Sequence, residues 1–182
     1  MYKPNQRKVR VDVLAVAGWV SGTFHVAART TLLAALNRTS EFLPLTDVIS
    51  DPDAPVIGFL AIRRSAIVLV VPGPEELERP AVAQPGTYER LTLQCHLAES
   101  TVTGSVPVLS GLRASDFLEA CAQFVVLSDC TLDGDGPARS MSQAILNASH
   151  VLAVMEVRTP ATAADAEPSR ELVGASSGRS RD

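Results

Sequence analysis

Laid over itself at a shift of 82 residues, the sequence finds seven identities without a gap. They are Val20 with Val102, Gly22 with Gly104, Val26 with Val108, Leu36 with Leu118, Phe42 with Phe124, Leu45 with Leu127 and Asp47 with Asp129. Beyond Asp129 the shift becomes 84, aligning Ser65 with Ser149, Ile67 with Val151 and Val70 with Val154. The two extra residues fall around Asp133-Gly134-Asp135-Gly136, where a turn tolerates insertion. The sequence therefore predicts an internal duplication. An N-terminal arm (1–7) leads to a first repeat (8–71), a linker (72–88), a second repeat (89–158) and a tail (159–182). Two copies fall short of a solenoid, which needs about three.

Within the first repeat, Val9, Val11 and Val13 alternate with Arg10 and Asp12, and Val20, Gly22, Phe24 and Val26 alternate with Ser21, Thr23 and His25. A period of two predicts half-buried strands, and Ala17-Gly18 between them predicts a hairpin. Leu91, Leu93 and Cys95, then Val102, Gly104, Val106 and Val108, repeat the pattern. Thr30–Asn37 carries Leu32, Leu33 and Leu36 at helical spacing and ends on Asn37; Ser115–Glu119 fills the same slot. Phe42–Ile49 and Phe59–Val71 then read as strands around Asp51-Pro52-Asp53-Ala54-Pro55, paralleled by Phe124–Leu132 and Ala144–Val157. Each copy is expected to be β-β-α-β-β. A repeat of about 65 residues with one short helix is marginal alone, because small domains bury only about 60% of the surface of the unfolded chain. The expected fold is accordingly β-rich α+β, with pseudo-twofold packing of the copies as paired small barrels or a sandwich.

The linker, with Pro72, Pro74, Pro80 and Pro85 among acidic residues, is expected to be extended, and the tail from Pro160 onward lacks the large apolar residues needed to fold by itself. The N-terminus shows no secretory signal, and apolar runs such as Ala66–Val71 are far shorter than the ~20 residues of a membrane-spanning helix. Cys95, Cys121 and Cys130 form no C-x-x-C and lie among apolar neighbours, as reduced core thiols of a cytoplasmic protein do. A net charge of −4 gives no overall attraction to phosphate backbones.

Three of these segments, Arg29–Asn37, Phe42-Leu43-Pro44-Leu45-Thr46-Asp47 and Ala66-Ile67-Val68-Leu69-Val70, resemble an uncharacterised family of small bacterial proteins with the patterns R-L-S-D-x-L-N, F-I-P-L-T-D and A-I-V-x-V. The second block matches well, and the first retains spacing and Leu-Asn. In the second repeat, Arg113–Leu118 and Phe124–Asp129 keep the helix and strand patterns without the proline. The resemblance implies no established activity and favours an interaction module over a catalyst. The layout also looks like Sm-like barrels in form.

No catalytic constellation emerges. His25, His96 and His150 lack ligand motifs, and no P-loop, G-x-S-x-G or G-x-G-x-x-G occurs. An EF-hand reading of Asp133–Gly136 would put Thr131 at its first position and Ser142 at its twelfth, which lack the required acids, so a hairpin turn is expected. No metal or cofactor is expected. Gly22 and Gly104, in strand interiors, predict bulges or close backbone approach.

Trp19 stands out, since alternation sends it to the face opposite Val20 and its counterpart is Thr101. The candidate partner-binding residues are Trp19, His25 and the basic Lys3, Arg7, Lys8 and Arg10. The expected role is a non-enzymatic interaction or scaffold subunit of a larger cytoplasmic assembly with protein partners. A specific form of it is a peripheral subunit on the cytoplasmic face of a membrane-embedded electron-transfer or light-harvesting complex. The alternative is a small-ligand sensor or enzyme with a site between the repeats, using Asp47, Asp129 and His96. A weaker alternative is Sm-like nucleic-acid binding.

Overall fold

The computed structural model describes residues 5–38, 40–77, 88–134 and 136–157. Strands β1 (Gln6–Ala15) and β2 (Gly18–Ala27) form the expected hairpin. Its tip depends on Gly18, whose φ of 116° is open to glycine and costly for other residues. Helix α1 (Leu32–Leu36) follows, then β3 (Phe42–Ile49), β4 (Ile57–Arg63) and β5 (Ile67–Pro72). The second half runs β6 (Tyr88–His96), β7 (Thr101–Leu109), α2 (Ala114–Ala120), β8 (Phe124–Asp133), β9 (Arg139–Asn147) and β10 (Ala153–Val157).

The stretches expected as single strands at Phe59–Val71 and Ala144–Val157 are each two strands, so each half is β-β-α-β-β-β. Three-residue 3-10 turns at Arg64–Ala66 and Ala148–His150 break them. At the second break Asn147 turns its side chain back to accept a hydrogen bond from Ser149 N–H at 3.1 Å; the first break has no such side-chain cap. The chain thus leaves one side of its own half and returns on the other: β4 pairs with β3, while β5 pairs with β1.

All ten strands belong to one open antiparallel sheet in the order β10-β6-β7-β8-β9-β5-β1-β2-β3-β4. The paired barrels expected from the sequence do not close, and no second sheet faces the first among the described residues. A half could close only by pairing its own edges, β4 with β5, but β5 is taken by β9 of the other half through Leu69 opposite Leu146 and Val70 opposite Ile145. This junction joins unlike edges, whereas the expected pseudo-twofold would bring like edges together. The pairings inside the halves match. Val11 lies opposite Gly22 and Leu93 opposite Gly104, Leu43 opposite Ile62 and Val125 opposite Leu146, Val13 opposite Val70 and Cys95 opposite Val154.

Two apolar cores flank the junction. One gathers Val9, Val11, Val13, Phe24 and the helix residues Leu32 and Leu36, and takes in Phe124 and Ile145 from the second half. The other gathers Leu93, Cys95, Val102 and Leu127, and takes in Val68 and Leu69 from the first. Strand β5 and the Gln143–Asn147 end of β9 are therefore buried on both faces; β5 accordingly reads as a continuous apolar run, whereas the start of β9 alternates, with Met141 buried between exposed Ser140 and Ser142. Polar latches cross the same seam. Asn37 donates through Nδ2 to Phe124 O at 3.0 Å and accepts from Phe124 N–H at 2.9 Å, while fully buried Asn147 donates to Ile67 O at 2.7 Å.

Candidate functional site

A groove of about 560 Å³ opens where loops from both halves converge. The β1–β2 hairpin tip brings Trp19, the β6–β7 turn brings Leu97–Ser100, the β8–β9 connection brings Gly134, Gly136 and Pro137 with Arg139 at the start of β9, and the 3-10 turn before β10 brings His150. The walls are mainly apolar, with Leu14, Val16, Val68 and Leu132 among them, and Glu99, Arg139 and His150 supply the polar groups. The β8–β9 connection packs closely on the β6–β7 turn. A Cβ on Gly134 would sit 3.2 Å from Cβ of Ser100, so a side chain there would push the two loops apart.

Trp19 is half-buried and packs on the second core. Strand alternation does send it away from the core beneath Val20, as its position after Gly18 predicts, but into the groove rather than into open solvent. The Arg139 guanidinium lies 4.4 Å from the centre of its ring. Arg139 in turn donates to Asp12 Oδ2 at 2.5 Å, and Ser21, directly across from Asp12 in the hairpin, donates to Oδ1 at 2.6 Å. An arginine from the second half is thus oriented by a carboxylate and an indole of the first. With Arg139 44% exposed, the stack contributes about 0.5–1 kcal/mol and the ion pair little. Its main effect is to fix a flat aromatic and a planar cation at the groove's edge. His150 bridges the halves as well, with Nε2 2.8 Å from Ser65 O.

The other candidates from the sequence lie elsewhere. His25 shares a 2.8 Å hydrogen bond with Thr46 Oγ1 across β2 and β3. Lys8 and Arg10 are exposed on β1, on the strand face opposite Val9 and Val11. Arg7 is engaged with Glu76 just after β5 and with Thr30 O at 3.2 Å. Lys3 lies outside the described residues, as do the tail and the linker from residue 78 to 87.

Asp47 and Asp129 are exposed within β3 and β8, not at strand ends, and sit five strand positions apart in the sheet. Each occupies a bulge with φ of 53° and 52°, opposite Gly22 and Gly104 respectively. A Cβ on Gly104 would come within 3.0 Å of Cys130 Sγ and Leu127 Cβ, so the expected close approach at these glycines is present. Asp129 accepts from Arg90 at 2.7 Å. His96 meets Thr101 Oγ1 at 3.4 Å, and none of the three lines the groove.

Arg139 and His150 were not singled out from sequence as groove residues. Arg139 is simply the first residue after a Gly-rich connection, and only the β5–β9 junction carries it over Trp19. Asn147 and Ser149, two polar residues that interrupt the apolar stretch before His150, are the available signal for the chain break that places it.

Burial raises the Cys95 and Cys121 thiols to about 11 and that of Cys130 to about 12. Such thiols behave as small core groups, since the reactive species is the thiolate. Among the described residues no cluster of His, Cys, Asp or Glu is placed to hold a metal ion, and no helix is long and apolar enough to cross a membrane. Comparison with protein-family models, with curated proteins and with solved structures found no match to this chain.

Proposed function

We propose that this chain is a non-enzymatic interaction module, a subunit of a larger assembly, that receives an apolar segment of a protein partner in the groove between its halves. The observation that carries this reading is the Trp19–Arg139 stack at the edge of a mainly apolar groove. Tryptophan and arginine, held rigidly beside an apolar depression, are the side chains that dominate binding energy at protein interfaces. The two halves are in this reading copies of one unit, supported by strand registers that agree at shifts of 82 and 84. A peripheral position on a membrane-embedded complex is the specific form of the proposal, with the exposed Lys8 and Arg10 as its contribution to a charged surface.

The test is co-purification of a tagged copy in mild detergent, read against Trp19→Ala and Arg139→Ala. A partner recovered in stoichiometric amount with the unaltered protein and lost with both variants is the expected result. The same partner recovered with all three proteins would overturn the groove as the docking site.

The groove's size also supports a second reading as a small-ligand sensor, because about 560 Å³ falls within the 300–1,000 Å³ typical of small-molecule sites. In that case a ligand raises the Tm of the isolated protein and Trp19→Ala abolishes the shift. A screen silent for every compound class counts against it.

A further inference from the structure

We propose that the two open edges of the sheet, β4 and β10, are complementary, so that copies of this chain join head to tail by pairing β4 of one with β10 of the next. The junction inside the chain already shows the geometry. There β5 of the first half pairs antiparallel with β9 of the second, Leu69 opposite Leu146 and Val70 opposite Ile145. At the shift of 84, the position of Leu69 is taken by Ala153 and that of Val70 by Val154, both in β10. The position of Leu146 is taken by Ile62 and that of Ile145 by Ala61, both in β4. The free edges are thus the two strands that would repeat the β5–β9 contact between molecules. Ala153 lies opposite Ile62 and Val154 opposite Ala61.

The backbone of β4 is oriented for this. Arg64 N–H donates to Glu41 O, which makes Phe42 opposite Arg63 a pair without mutual hydrogen bonds. Two residues on, Pro44 opposite Ala61 is of the same kind, so the N–H and C=O of Ala61 point away from β3 toward the open edge. Ile145, its counterpart, meets Val70 across the internal junction.

Ile145, Leu146, Leu69 and Val70 are fully buried at the internal junction; of their counterparts, Ala61 and Ala153 are exposed and Val154 is half-buried, while Ile62 is buried in the core of its own half. Of the ten large apolar side chains exposed among the described residues, seven lie on or beside the two edges. These are Phe42, Val56, Ile57 and Phe59 at the β4 end, and Leu152, Met155 and Val157 at the β10 end. A flat apolar edge with free backbone donors and acceptors is a template for strand addition, and proteins that remain monomeric blunt such edges with charge or proline. Here the charges are few, with Arg63 on β4 and Glu156 on β10. A second copy is the occupant that fits both edges at once. Because the edges are unlike, the contact is heterologous and propagates into a ring or a filament.

The experiment is native mass spectrometry and sedimentation of the full chain beside Ala61→Pro and Val154→Pro. Each variant removes one edge donor, at positions where an edge strand tolerates proline. Ala61→Lys serves as a second β4 variant, and circular dichroism checks that each retains its sheet. The unaltered chain is expected to be an oligomer and each single variant a monomer. Mixed one to one, Ala61→Pro and Val154→Pro form a dimer that grows no further, since one intact β4 and one intact β10 remain between them. A monomeric unaltered chain, an oligomer that survives either edge variant, or a mixture that stays monomeric overturns the proposal. Trp19→Ala leaves the oligomer intact, so loss of groove binding and loss of assembly are separate outcomes.

Discussion

Asp47 and Asp129 hold φ angles of 53° and 52° in strand interiors, a left-handed conformation that costs an ordinary L residue about 1–2 kcal/mol and that aspartate tolerates better than most. Their shared identity is thereby explained by backbone geometry without any reaction. Asp47→Gly is expected to change stability by less than about 0.5 kcal/mol, and Asp47→Val to lower it by about 1–2 kcal/mol, as read from denaturant midpoints. Equal effects of the two would show that the carboxylate itself matters. The thiols carry a pH prediction. Raised from 9.0 to about 11–12 in the folded chain, they stay protonated while the unfolded chain ionises near 9. The unfolded state then binds fewer protons, so their contribution makes stability fall as pH rises from about 9 to 12 and leaves it flat below that window. At pH 8, alkylation followed by mass spectrometry should modify half-buried Cys121 first and leave buried Cys95 and Cys130 intact until the protein unfolds.

At the scale of elements, the hairpins were legible because each has one buried face, and Val9, Val11 and Val13 alternate with polar neighbours as a half-buried strand must. The helix face and its end were legible too, with Leu32 and Leu36 buried and Asn37 as C-cap, whereas the helix begins later than expected, after Thr31, whose Oγ1 accepts from Ala34 N–H at 3.1 Å. What alternation could not reveal is the fate of a strand buried on both faces. Ile67–Pro72 has no polar side to mark a partner, and the polar Gln143 and Asn147 that bound the β9 run are themselves buried, so nothing local told that β5, paired with β1 on one edge, would take β9 of the other half on its second edge. The groove inherits that blindness, because Trp19 and Arg139 meet only through this pairing. Asn147 is the element-scale device that makes the pairing possible, ending β9, capping the following turn and donating to Ile67 O in β5. Asn147→Ala leaves buried backbone groups unpaired and should cost about 1–3 kcal/mol by chemical denaturation. A neutral outcome would mean that the latch is incidental to the junction.

For the whole molecule, the decisive fact is that each core borrows side chains from the other half. Phe124 and Ile145 complete the core under β1 and β2, and Val68 and Leu69 complete the core under β6 to β8. A half deprived of the other would lose fully buried residues from its own interior, as well as the partner strand of its junction. The two halves therefore have no independent stability to express, and unfolding should be a single transition in which calorimetric and van't Hoff enthalpies agree. Ile145→Ala tests this sharply, since the side chain originates in one half and is buried in the core of the other. Truncation of a buried isoleucine costs about 2–5 kcal/mol. If the molecule is one cooperative unit, that cost lowers a single midpoint, and the slowest-exchanging amides of β1 and of β7 lose protection by the same amount. If the halves are domains joined by a thin seam, the transition splits and only the amides of the first half lose protection. The crossing of Asn37 to Phe124, Asn147 to Ile67 and Arg139 to Asp12 at separate points along the seam argues for the first outcome, because a hinge at the junction would have to break all three together.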